Sequence, residues 1–284
     1  MTPTPPDQTG RTFLVTGATG GIGLVTAREL ASRGATVYIT ARSTDKGRRA
    51  LDELASATGS QRLDALELEL GDFGSVHACA EAFLATGEPL HGLINNAGLA
   101  GSRGMTRSGF ELAFGTNHVG TFLLTELLTE RLVQSAPARV VNVASTGHFN
   151  AKGIDFTAVR RTTRTRTAFP EYCVSKLANV LHASELGRRL QSTGVTTYSL
   201  HPGTVATDVW RQVPWPLRPL MLRRMQTPEE GARTTLYCAT STEVDGATGR
   251  YYDSCREKAP AATVTPGLAV ELWRRSAEWV SADA

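Results

Sequence analysis

Short apolar runs alternate with segments of helical period along almost the whole chain. Residues 13–15 form an unbroken apolar run, and residues 36–40 are β-branched and aromatic, so both predict buried strands. Residues 63–69 alternate apolar and polar side chains, and 93–94, 139–144, 195–200 and 250–252 complete the predicted strands. Between them, apolar positions three and four apart predict helices over 22–33, 45–57, 73–86, 110–136, 172–191, 227–240 and 268–280. This succession predicts an α/β fold with a doubly wound, mostly parallel sheet and helices on both faces. No composition shift marks a linker and no repeat is present, so residues 11–284 read as a single domain. The Pro/Thr-rich residues 1–10 read as a disordered tail. Two segments break the rhythm. Residues 147–170 are polar and Arg-rich, and residues 210–226 are rich in Pro, Trp, Leu and Arg. Both follow predicted strands, and loops of that length in a compact domain usually serve function, so both are expected to be substrate loops. Residues 210–226 are expected to close as a mobile flap. Permanent packing on the domain or on a partner subunit, or contact of Trp210 and Trp215 with a membrane surface, are its alternatives.

Composition narrows the classes. Apolar residues make up 41% and charged residues 20% of the 284, as in ordinary globular proteins. A net charge of +3 without a dense basic helix argues against a nucleic-acid partner. Cys79, Cys173, Cys238 and Cys255 are far apart and form no C-x-x-C pair, and the histidines show no ligand spacing, so neither disulfide nor metal is expected. The most apolar helix candidate is interrupted by Asn117, His118, Glu126, Glu130 and Arg131. No signal-peptide pattern opens the chain. A cytoplasmic protein with no stable membrane anchor is therefore expected.

Candidate chemistry lies at the strand ends. The first strand runs into Thr16-Gly17-Ala18-Thr19-Gly20-Gly21-Ile22-Gly23, followed by a helix. Glycines there permit positive φ and close approach of a diphosphate to backbone, and the helix N-terminus offers free N–H groups. The strand–glycine turn–helix context is that of a Rossmann-like nucleotide site. The second strand ends at Ala41-Arg42, and no carboxylate stands there until Asp45, which fits a helix start. A carboxylate would chelate the adenosine ribose; Arg42 suits a 2′-phosphate, so NADP(H) is expected over NAD(H), with a solvated Arg42 as the alternative. Tyr172 and Lys176 stand four apart on one helix face, after a strand ending in Ser145 and before one leading to His201-Pro202-Gly203.

These motifs, with Asn95-Asn96-Ala97-Gly98 and Asn117, resemble the short-chain dehydrogenase/reductase superfamily over nearly the whole length. The runs 110–120, 172–181 and 196–203 are most similar to its retinol dehydrogenase and WW-domain oxidoreductase branch. The resemblance implies an enzyme moving a hydride between nicotinamide and an alcohol/carbonyl pair. Its small-molecule substrate is expected to be bulky and mainly apolar. Tyr172 would be the acid/base, Ser145 would hold the substrate oxygen, and Lys176 would bond the nicotinamide ribose and favour phenolate. Asn117 would seat a water linked to the lysine, or be a polar side chain satisfied by backbone. Cofactor contacts would fall on Gly17, Thr19, Gly20, Gly21, Ile22, Gly23, Arg42, Glu69, Leu70, Asn95, Ala97, Gly98, Tyr172, Lys176, Pro202, Gly203, Thr204 and Thr207. The resemblance also implies a homodimer or homotetramer joined through the long helices. A non-catalytic NADP(H)-sensing protein on the same fold is the competing reading. Animal members of the branch carry a membrane-anchoring helix with no counterpart here, so retinoid activity is not carried over. Glu171 precedes the tyrosine where a small or apolar residue is usual; it is expected to be solvated, or else to face the substrate. His148 is expected to line the pocket, His118 and His201 to be structural, and Arg160, Arg161, Arg164 and Arg166 to form a solvated face or attract an acidic ligand.

Overall fold

The computed structural model describes residues 6–203 and 226–282. Among these, eight strands form one sheet in the order β3-β2-β1-β4-β5-β6-β7-β8. They are β1 (Thr12–Val15), β2 (Thr36–Ala41), β3 (Leu63–Glu67), β4 (Gly92–Asn95), β5 (Ala138–Val143), β6 (Val195–His201), β7 (Arg250–Asp253) and β8 (Arg256–Lys258). The first seven run parallel, and β8 returns antiparallel to β7. Successive side chains of a strand point to opposite faces, and the two apolar layers divide accordingly. Leu14 enters one with Phe83, Phe122 and Leu181, while Phe13 and Val15 enter the other with Leu30, Ile39 and Tyr198.

The helices are α1 (Gly21–Ala31), α2 (Thr44–Thr58), α3 (Phe73–Ala85), α4 (Leu112–Phe114), α5 (Gly120–Gln134), α6 (Phe169–Arg189), α7 (Pro228–Thr240) and α8 (Pro266–Ser281). The chemistry of their ends explains several boundaries. Asp72 caps α3 by accepting the N–H groups of Gly74 and Ser75 at 3.1 and 3.4 Å. Thr227 and Glu230 form a reciprocal capping box at α7. Gly59, at φ 69°, ends α2 in the left-handed conformation.

Four features differ from the sequence expectation. The helix expected over 110–136 is α4, then a π-helical turn at Gly115–Val119, then α5. The extra residue in that turn lies between two glycines that meet close neighbours: a Cβ on Gly115 would lie 2.6 Å from Thr106 Cγ2, and one on Gly120 would lie 2.0 Å from the Leu70 carbonyl oxygen. Helix α6 begins at Phe169, so the preceding loop is shorter than expected and holds 3-10 turns at Thr146–Asn150 and Ala158–Arg160. Strand β8 was not anticipated, because Arg-Glu-Lys carries no apolar alternation. The expected tail is docked at least from residue 8: the Gln8 N–H donates to the Arg33 carbonyl at 2.8 Å and its side chain is buried. The expected flap, apart from residue 226, lies outside the described residues.

Helix α8 packs along α6 and reaches α5 at Phe122. Trp273 packs on Phe122 at 5.0 Å and on His182 at 5.8 Å between ring centroids. Trp279 packs on Phe110 at 5.3 Å, and His118 Nε2 lies 2.9 Å from Ser276 Oγ. Among the described residues, no helix is long and apolar enough to cross a membrane, and no group of His, Cys, Asp and Glu is arranged to hold a metal.

Candidate active site

The strand order reverses between β1 and β4, and a cleft opens at the carboxyl ends of strands beside such a switch point. The described candidate residues outside the helices lie at or after those ends. Gly17 and Gly21 have φ of 65° and 55°, so the turn after β1 needs glycine there. A Cβ on Gly23 would lie 2.4 Å from Asn96 Nδ2 and 2.6 Å from the Gly17 carbonyl oxygen. Thr19, Gly20 and Ile22 are exposed or half-buried on the turn. The turn is tied to the end of β4: Asn96 Nδ2 donates to the carbonyls of Thr16 and Gly17 at 2.8 and 3.2 Å, and Thr16 Oγ1 accepts the N–H groups of Asn96 and Ala97 at 3.0 Å each. The Gly17 N–H donates to Thr40 Oγ1 at 3.2 Å, which brings the end of β2 alongside. Arg42 stands exposed two residues on, and Asp45 lies in the first turn of α2. Glu69 accepts the Gly71 N–H at 3.2 Å, and Leu70 is buried against Gly120. The Asn95 side chain turns inside the sheet, donating to Thr125 Oγ1 at 3.1 Å and Asn142 Oδ1 at 2.9 Å.

At the other end of the cleft, Ser145 leaves β5 and Tyr172 sits in the first turn of α6. A Cβ on Gly147 would lie 3.2 Å from Tyr172 Cε1 and 3.4 Å from Ser145 Oγ, so both groups converge on that glycine. Burial pushes the Tyr172 phenol above its usual value, and hydrogen bonding with Ser145 offsets part of the rise. Lys176 is buried, and its Nζ donates to the Val143 carbonyl at 2.8 Å. Burial pushes its ammonium down to about 8. A Cβ on Gly98 would lie 3.3 Å from both Lys176 Nζ and Asn117 Oδ1. Asn117, in the π-helical turn, accepts the Leu99 N–H at 2.8 Å and donates to the Leu99 carbonyl at 3.0 Å and Ser175 Oγ at 2.9 Å. Its amide is thus tied both to backbone and to the Ser175 side chain. Pro202 and Gly203 follow β6, with Gly203 at φ 91°; Thr204 and Thr207 lie outside the described residues.

Residues 11–215 match the family model of short chain dehydrogenases. The chain belongs to the short-chain dehydrogenase family. Retinol dehydrogenase 12 of Homo sapiens is 46% identical over 252 residues, spanning 87% of this chain and 78% of that protein. A solved structure of an uncharacterized protein from Mycobacterium paratuberculosis superposes with a TM-score of 0.78 at 32% identity, covering 98% of this chain and 96% of that one. An actinorhodin polyketide ketoreductase solved with NADPH gives 0.67 at 27% identity, covering 86% and 95%. Within the family the chain falls in the retinol dehydrogenase branch, and it is an oxidoreductase acting on CH–OH or C=O groups.

A nicotinamide dinucleotide fits the residues of this short-chain dehydrogenase. The N-cap of α1 is Gly20, no side chain bonds the first N–H groups, and no acid stands in the first turn. Those uncapped donors and the positive end of the helix suit a diphosphate. Several supporting side chains were not singled out from sequence. Thr16 and Asn96 brace the glycine turn; the doubled asparagine was visible, but nothing in sequence tells which of the two faces the turn. Ser175 joins Asn117 to α6 through its own bond to the Tyr172 carbonyl at 2.8 Å. His148, expected at the pocket, is fully buried. Its Nε2 accepts the Ala261 N–H at 3.2 Å, which leaves Nδ1 protonated, 2.6 Å from the Ser145 carbonyl oxygen. His201 Nδ1 accepts the Thr146 N–H at 3.3 Å. Burial pushes both imidazoles below their usual value, so two neutral histidines hold the backbone on either side of the Ser145–Thr146 peptide. Glu171 is half-buried and bonds the segment before α6. Of the loop arginines, all exposed, Arg160 lies over the Phe110 ring at 4.1 Å.

Proposed function

We propose that the chain is an NADP(H)-dependent oxidoreductase acting on a bulky, mainly apolar alcohol/carbonyl pair. The observation that carries this reading is the convergence of Ser145, Tyr172 and Lys176 at the carboxyl end of the sheet, beside an uncapped glycine turn. The nicotinamide, when bound, supplies or accepts the hydride. Tyr172 donates a proton to the carbonyl oxygen during reduction, or accepts one from the alcohol during oxidation. Its raised pKa keeps the phenol protonated at neutral pH in the free chain, the state that reduction requires. Ser145 holds the substrate oxygen as charge develops on it. Lys176 uses one of its three donors on Val143, leaving donors for a ribose hydroxyl. Asn117 positions this set through Leu99 and Ser175.

Two features support the finer parts of the reading. Arg42 is exposed beyond a strand end without a carboxylate, which favours a 2′-phosphate over bare ribose hydroxyls. Phe149 and Phe169, about half exposed at 51% and 49%, flank Ser145 and Tyr172 in sequence, and the Phe169 ring lies 6.2 Å from that of Tyr172. Such exposed aromatic surface beside polar catalytic groups suits a largely apolar substrate. The relatives named for retinol and for a polyketide point the same way.

The test is turnover of aliphatic, aromatic, steroid, retinoid and polyketide-like carbonyls with NADPH and with NADH, read by cofactor absorbance. NADPH is expected to bind more tightly, and Arg42→Asp to invert the order. Tyr172→Phe is expected to cost ~10² to 10⁴-fold in rate while leaving NADPH binding intact. Equal affinities for the two cofactors in the parent protein would remove the NADP(H) assignment. Near-native turnover by Tyr172→Phe would remove the tyrosine from the chemistry.

A further inference from the structure

The catalytic tyrosine stands where helices fray. Tyr172 is in the first turn of α6, whose N-cap, Ala168, makes no side-chain capping bond and is held at φ 52°. The first N–H groups of a helix have no partner within it, and terminal turns open most readily. Glu171, the residue before the tyrosine, supplies an outside tether. Its Oε1 accepts the N–H groups of Arg164 and Thr165 at 3.1 and 3.0 Å, and its Oε2 accepts the Thr165 hydroxyl at 2.5 Å. Hydrogen bonds to an ionised carboxylate are about twice as strong as neutral ones.

Two residues earlier, the same segment is tied to the other catalytic helix. The buried Glu111 carboxylate accepts the Thr163 hydroxyl, and it also accepts the Phe114 N–H at 2.9 Å, opening α4 and the π-helical turn that carries Asn117. Thr163 in turn accepts the Gly104 N–H at 3.0 Å. Between these two tethers lies a cavity of about 160 Å³, lined by Glu111, Phe114, Val159, Pro170, Glu171 and Val174. The two polar tethers therefore flank this cavity, where they fix the starts of the two helices relative to each other.

We propose that Glu171 is a positioning residue: with Thr165 it splints the first turn of α6 to residues 163–165, which Thr163 and Glu111 anchor to α4, so that the Tyr172 hydroxyl meets the substrate oxygen in register. The proposal rests on the oxidoreductase reading. It explains why an acid stands where the branch usually has a small or apolar residue. Misplacement of a reacting group by 1 Å can cost about 100-fold, so even partial fraying of this turn reaches the rate.

The experiment compares the parent with Glu171→Ala, Glu171→Gln, Thr165→Val and the double variant Glu171→Ala/Thr165→Val. Steady-state kinetics, NADPH affinity by fluorescence, and hydrogen exchange over residues 169–173 are read on each. Glu171→Ala is expected to lower kcat by about tenfold with NADPH affinity within twofold of the parent, and to speed exchange over 169–173. Thr165→Val should do the same to a smaller degree, and the double variant should be no worse than Glu171→Ala alone, because both remove one tether. Glu171→Gln, which keeps an acceptor, should recover part of the loss. A kcat equal to the parent's in the folded Glu171→Ala protein would overturn the proposal, as would additive losses in the double variant. Unchanged exchange over 169–173 would overturn it without any substrate, so it fails separately from the oxidoreductase reading, which fails when the parent itself turns over nothing.

Discussion

Lys176 is held in a state that costs stability. A lysine in the unfolded chain titrates near 10.4, whereas burial lowers this one to about 8. Its folded value lies below its unfolded value, so between pH 8 and about 10.4 the unfolded chain binds more protons at this site. The site's contribution to stability therefore rises with pH across that window. Below pH 8 the whole penalty applies, about 3 kcal/mol at 1.36 kcal/mol per unit. Lys176→Met should remove the penalty and lose the bond to the Val143 carbonyl, worth about 1 kcal/mol. At pH 7 the cofactor-free variant is expected to be about 2 kcal/mol more stable than the parent, and to have lost turnover. Urea unfolding at pH 7 and pH 10 checks it: the gain should shrink at the higher pH, and a variant less stable than the parent at pH 7 would show that burial of the ammonium is not penalised.

At the scale of elements, the helix that carries Asn117 is shaped by a backbone contact. Gly120 starts α5 directly against the end of the β3 connection, and a Cβ there would lie 2.0 Å from the Leu70 carbonyl oxygen and 2.8 Å from its carbon. Backbone atoms cannot rotate away as a side-chain tip can. Gly120→Ala is expected to cost about 1–3 kcal/mol by overpacking, and to weaken NADPH binding because Glu69 and Leu70 must shift. Thermal melting and a binding titration on one preparation check both, and an unchanged melting temperature would mean that the contact relaxes freely. This contact also marks where the sequence stops being legible. The glycine turn, the Tyr172–Lys176 spacing and Ser145 at a strand end were readable because each depends on neighbours within a few residues. Seven of the eight strands were readable from apolar runs, β-branched residues or apolar/polar alternation. The π-helical turn was not, because a helical period continues almost unchanged through one inserted residue. The tie between Thr163 and Glu111 spans 52 residues, and the bond from His148 to Ala261 spans 113, so neither leaves a local pattern.

For the whole molecule, the question is what covers α5 and α6. A dimer joined through these helices, as the family resemblance implies, would have to accommodate α8, which packs on α6 and on Phe122 of α5. Ala269, Leu272, Trp273 and Ser276 are buried on one stripe of α8, at the spacing of a single helical face. The Arg189 guanidinium closes over the Trp273 ring at 4.4 Å, so the tryptophan is held from both sides. The far sheet edge is guarded as well: Arg256, Glu257 and Lys258 of β8 are all exposed, and charged edge strands resist pairing with another chain. From the described residues alone, this chain is expected to show the mass of one copy by light scattering at micromolar concentration. Trp273→Ala should destabilise it by about 3–5 kcal/mol and uncover Phe122 and His182, raising the mass toward dimers or larger species. The opposite result has a clear form: an intact dimer whose hydrogen-exchange protection falls on α5 and α6 would mean that α8 leaves this face in solution.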